Sequence, residues 1–210
     1  MRYALCTLLA SLPLFVSMRS AGGTIQGTVT IKDSKLKRVA GAYTGAPPRV
    51  VAPLPVVVFI EGAVDGSAPA VIATPSLSQR DTTFTPDLLI VPAGTTVSFP
   101  NRDPFFHNVF SYSKAKRFDL GRYPRGEQKN VTFDRAGTVS IYCEIHKWMR
   151  AGVVVVENGF NAVAQPDGSF TLAGVPPGNY KLTVWQAERG SKTVDVTVPP
   201  SGDVRVDVTL

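Results

Sequence analysis

Cysteine and histidine are scarce in this chain, with two of each among 210 residues. Two histidines, His107 and His146, leave none spare for a Ser/His/Asp arrangement or for a catalytic copper centre, so hydrolytic and copper-oxidase chemistry are set aside. Blocks of like charge are missing too: 22 Lys and Arg stand against 16 Asp and Glu, spread along the chain, which does not argue for a nucleic-acid partner. No stretch repeats at the helical period. The one long apolar run, Tyr3 to Val16, is too short to span a bilayer comfortably.

That run follows Arg2 and precedes the small residues Ser20, Ala21, Gly22 and Gly23, so residues 1–21 read as a secretory signal peptide. An uncleaved anchor or a buried helix is the competing reading. Cleavage near Ala21 removes Arg2, Arg19 and Cys6, lowers the net charge from +6 to +4, and leaves no stable membrane span. Cys143 is then the only thiol in an oxidising compartment, where cysteines usually come in pairs. The expected location is the periplasm.

What is abundant is β-pattern. Period-two alternation runs through Ile25/Val29/Ile31, Val97/Phe99, Val131/Phe133, Val139/Ile141, Tyr180/Leu182/Val184, Val194/Val196/Val198 and Val204/Val206/Val208/Leu210. With 18 Gly and 17 Pro as punctuation, the fold class is all-β, sandwich or barrel. The segment Asp167 to Leu182, with its turns Pro166-Asp167-Gly168 and Pro176-Pro177-Gly178, resembles the later strands of carboxypeptidase regulatory-like, transthyretin-type sandwiches. The early strands of such a module lie instead near the N-terminus, at Ile25–Val29 and Pro53–Gly62. The expected organisation is therefore one sandwich from residues 22–63 and 159–210, with a second domain at 74–157 inserted into it. It requires Val56–Ile60 to pair with strands after Phe160. Two consecutive domains are the alternative.

Chemistry concentrates in Tyr142-Cys143-Glu144-Ile145-His146-Lys147-Trp148-Met149, which leads into Val153–Val156. Cys, His and Met follow one another at intervals of three, a spacing that lets a tight loop converge three side chains, and His107 supplies a second imidazole. Two histidines and a cysteine with a weak thioether are the ligand types of a type 1 copper site. Zinc favours closed Cys/His sets without a thioether.

This stretch, with Val91-Pro92-Ala93-Gly94-Thr95-Thr96-Val97, Asn101-Arg102-Asp103 and His107-Asn108-Val109 upstream, resembles the cupredoxins, most closely amicyanin and plastocyanin-like proteins. The resemblance implies a Greek-key β-sandwich and one copper ion cycling between Cu(I) and Cu(II). It implies His107, Cys143 and His146 as equatorial ligands and Met149 as the axial one. Lys147 and Trp148 depart from the Pro or Phe common in that loop. The dinuclear centre of cytochrome oxidase resembles the loop as well, but needs a second cysteine. Asn108 is expected to tie the two ligand segments together, with its N–H directed at the Cys143 sulfur; Trp148, Phe105 and Phe106 read either as core or loop packing or as an apolar rim around the exposed edge of His146 that the resemblance implies.

The expected role is single-electron transfer with a redox protein such as a c-type cytochrome or a periplasmic dehydrogenase, and no enzymatic activity. Copper storage or delivery by the same ligands is the alternative reading, and an adhesive scaffold with a vestigial metal module a third.

Overall fold

A computed structural model describes residues 22–32, 37–39 and 49–210; the proposed signal peptide lies outside them. The described residues contain strands and no helices. In chain order the first are β1 (Gly23–Thr30), β2 (Lys37–Val39), β3 (Arg49–Val51), β4 (Val57–Ile60), β5 (Ser78–Arg80) and β6 (Thr83–Thr85). There follow β7 (Leu88–Pro92), β8 (Thr95–Pro100), β9 (His107–Tyr112), β10 (Arg117–Tyr123), β11 (Gln128–Phe133), β12 (Gly137–Tyr142) and β13 (Arg150–Val156). The last are β14 (Asn161–Val163), β15 (Ser169–Val175), β16 (Gly178–Gln186), β17 (Gly190–Val198), β18 (Asp203–Arg205) and β19 (Val208–Thr209).

The middle of the chain forms a sandwich. One sheet runs β10-β9-β12-β13-β7, with β13 and β7 parallel, and the other holds β11 and β8. The alternating residues Val97, Phe99, Val131 and Phe133 of the second sheet face Val109, Val139, Ile141, Val153 and Val91 of the first in one buried cluster. The β5–β6 hairpin is attached to β8 through bridges at Ser76–Ser98 and Gln79–Asn101.

The two ends of the chain build a second sandwich together. β1 pairs with β15, β18 and β19, and β4 lies between β14 and β16, with β17 beyond. Thus Val57–Ile60 pairs with strands after Phe160 and none of its partners is in the middle sheet. Ile25, Phe170 and Leu172 on one side meet Val58, Ile60, Leu182 and Val184 on the other.

A third cluster joins the sandwiches: Val57, Phe59, Trp185 and Leu54 pack on Val154 and Val156. This explains why Val153–Val156 reads as a continuous apolar run. Both faces of β13 are buried, one in the middle sandwich and one against its neighbour, so alternation has no solvent side to mark.

The run Val204–Leu210 is not one strand. It breaks between β18 and β19, where the Val206 carbonyl lies so close to Gly27 that a Cβ there would sit 1.8 Å from its oxygen. Asp207 fills the break by accepting the Thr28 N–H at 2.9 Å.

Candidate metal centre

His107 is the first residue of β9, and Cys143 directly follows β12, its neighbour in the sheet. Continuing the inward phase of Val139 and Ile141, the Cys143 side chain enters the buried core. The ligand loop then folds back on itself: Met149 N–H donates to the His146 carbonyl at 2.9 Å and Cys143 N–H to the Met149 carbonyl at 3.2 Å. Those two bonds close the loop so that His146 returns to the cysteine.

His107 Nδ1 lies 3.8 Å from Cys143 Sγ, His146 Nδ1 3.9 Å from the same sulfur, and the two Nδ1 atoms are 3.1 Å apart. A point equidistant from these three atoms is about 2.1 Å from each, which matches metal–nitrogen and metal–thiolate bond lengths of about 2.0–2.3 Å. All three residues are buried. Among the described residues they are the group of metal-ligating side chains close enough to share one ion. Met149 is buried in the same core as Cys143, held by its own backbone bonds to both loop neighbours. The donor set and spacing fit one copper ion.

The electrostatics suit deprotonated sulfur. Burial pushes the Cys143 thiol up, but the His107 ring and the N–H groups of Asn108, His146 and Ile145 outweigh it and hold the thiol below its ordinary value. Asn108 also joins the two ligand segments as expected: Glu144 N–H donates to its Oδ1 at 3.3 Å, while its Nδ2 donates to Asp119 at 2.6 Å.

Sequence reasoning gave no role to Asp103. Its carboxylate lies 2.8 Å from His107 Nε2, which leaves Nδ1 as the inward nitrogen, facing Cys143 Sγ and His146 Nδ1. The same carboxylate accepts the N–H groups of Asp81 at 2.6 Å and Thr82 at 2.8 Å, the two residues of the β5–β6 turn. Burial opposes its charge, yet the Thr82 N–H, the His107 ring and the Asp81 N–H hold it below its ordinary value. For His107, burial disfavours the cation, but the Cys143 sulfur and the Asp103 carboxylate outweigh that and raise its pKa. The available signal was an acid four residues before a ligand histidine.

The expected exposed imidazole edge is not there. His146 is only 2% accessible, and the half-buried Trp148 packs against its ring with centroids 5.4 Å apart. Phe105 and Phe106 are exposed, but they precede His107.

Residues 73–157 match the family model for copper binding proteins of the plastocyanin/azurin family, and residues 149–210 match that for the carboxypeptidase regulatory-like domain. The two overlap on β13, which pairs within the middle sheet. Among solved structures, a purple cupredoxin from Nitrosopumilus maritimus is 25% identical, covering 39% of this chain and 98% of its own, with a TM-score of 0.36. A methionine-to-alanine variant of amicyanin in its Cu(I) form is 22% identical, covering 47% and 97%, with a TM-score of 0.37. No curated protein matches the chain. The chain carries a cupredoxin-type copper-binding domain and a carboxypeptidase regulatory-like one.

Proposed function

We propose that this is a periplasmic type 1 copper protein that passes single electrons between protein partners, such as a c-type cytochrome and a periplasmic dehydrogenase, and that it catalyses no reaction of its own. Its ligands in this reading are His107, Cys143, His146 and Met149. The observation that carries it is the buried Nδ1–Sγ–Nδ1 triangle, with edges of 3.1 to 3.9 Å already set by the protein. Copper bound there supplies one electron's worth of redox change.

The chain's part is to keep the surroundings fixed and dry. Asp103 orients one imidazole, the loop's backbone bonds hold the other, and the core excludes water from the sulfur. Ligands that do not move between oxidation states lower the reorganisation that electron transfer requires. The same burial works against handing the metal to another protein, which needs exposed ligands for exchange.

The test is an optical and paramagnetic-resonance spectrum of the copper-loaded protein. Wild type should show an intense thiolate-to-copper band that Cys143→Ala abolishes. A colourless Cu(II) protein overturns the proposal.

A further inference from the structure

We infer that Trp148 is a fixed cover over the copper site, so that a redox partner meets its indole and not the imidazole edge of His146. This rests on the copper electron-transfer reading and specifies the contact face of that site.

Three observations carry it. First, His146 is 2% accessible whereas Trp148 is half-buried, and the two rings are in contact at 5.4 Å. The indole is therefore the outer of the two. It also lines an open cavity of about 440 Å³ with Leu54, Thr83, Phe84 and Met149, so one of its faces is reachable from outside.

Second, the indole is anchored. Trp148 Nε1–H donates to the Thr82 carbonyl at 3.0 Å, a bond to a residue 66 positions away on a different hairpin.

Third, that anchor is itself held in an uncommon conformation. Asp81 and Thr82 both have φ of 53°, and a β-branched residue in the left-handed region is rare. Two N–H bonds to the Asp103 carboxylate hold the turn there. Strain that surrounding structure maintains next to a ligand cluster points to a placed group. One carboxylate thus supports His107 directly and, through the turn and the indole, the cover of His146.

In self-exchange the reduced molecule loses one electron and the oxidised one gains it, with no proton or group moving. Electronic coupling falls off exponentially with the thickness of matter between the centres, so an intervening indole slows this exchange.

The test uses the full copper-loaded chain. In the diamagnetic Cu(I) form, NMR reads the exchange of the His146 Nε2–H with water, and line broadening on adding a little oxidised protein reads electron self-exchange. Wild type should show slow proton exchange. Trp148→Ala should speed both processes, self-exchange by an order of magnitude or more. Trp148→Phe, which keeps a ring but loses the anchoring bond, should fall between. The cover is overturned if Trp148→Ala leaves both rates as in wild type, or if it slows self-exchange, which would make the indole a bridge. Should Trp148→Ala not fold, Trp148→Phe decides: a His146 proton exchanging no faster than in wild type overturns the cover. A wild-type protein without the thiolate band defeats the copper reading instead, so the two failures are distinct.

Discussion

Asp103 satisfies three donors with one buried carboxylate: the Nε2 ring nitrogen of His107 and two backbone N–H groups of a left-handed turn. Asp103→Asn keeps the shape but turns part of that acceptor into a donor facing donors. In the metal-free protein we expect a loss of about 1–3 kcal/mol at neutral pH, the scale of a buried polar group left unpaired. Because the native carboxyl is held below its ordinary pKa, its contribution is complete above the usual carboxylate range, near about 4. It is lost as the pH falls through the depressed native value. Denaturant midpoints of the two proteins should converge on acidification; a constant gap would refute this. Copper affinity should also weaken in acid, because the imidazoles must be deprotonated at their ligating nitrogens and His107 holds its proton above its ordinary pKa. The joint pattern of both histidines with Cys143 pointed to the residues that the fold brings together. It could not give Asp103 its role, because four residues within a loop imply no geometry until the loop is folded.

The β5–β6 hairpin shows the same limit at the scale of an element. Arg80-Asp81-Thr82-Thr83 lacks the Asn-Gly or Asp-Gly signature of a two-residue turn, because the positive φ at Thr82 is imposed from outside by Asp103. Thr82→Gly removes a left-handed cost of about 1–2 kcal/mol but adds backbone entropy of about 0.5–1 kcal/mol to the unfolded chain. The net should be a gain of about 0.5–1 kcal/mol, read as a higher melting temperature, since the N–H and carbonyl that hold Asp103 and Trp148 stay in place. A lower melting temperature would mean that the exposed Thr82 hydroxyl bond to the Asp81 carbonyl matters more than the backbone strain. Strands with clean alternation, such as β8, β11 and β12, were readable because one face is buried. β10, Arg-Phe-Asp-Leu-Gly-Arg-Tyr, was not, since an edge strand with mostly charged and half-buried positions alternates too weakly.

Across the whole molecule, the second sandwich braces the strand that leaves the ligand loop. A Cβ on Gly152 would lie 2.7 and 2.8 Å from ring atoms of Trp185, so the glycine is the notch into which the neighbouring domain's indole fits. Gly152→Ala should therefore destabilise by about 1–3 kcal/mol, the usual scale of overpacking, with Trp185→Phe partly restoring the loss in a denaturation series. The motif-level reading could place both modules but not this seam, which depends on side chains far apart in sequence. The seam is also charged. Arg150, one residue past Met149, pairs with Glu188 in the β16–β17 turn, both side chains largely buried. Removing one partner from such a pair leaves an uncompensated charge, whereas replacing both with apolar groups is often neutral or better. Glu188→Gln should cost about 1.5–3 kcal/mol of stability, while Arg150→Met combined with Glu188→Leu should recover most of it. If the double variant is no more stable than the single one, the pair contributes through its attraction and not merely through the penalty of breaking it. The bond would then be holding the ligand loop's exit to the second sandwich.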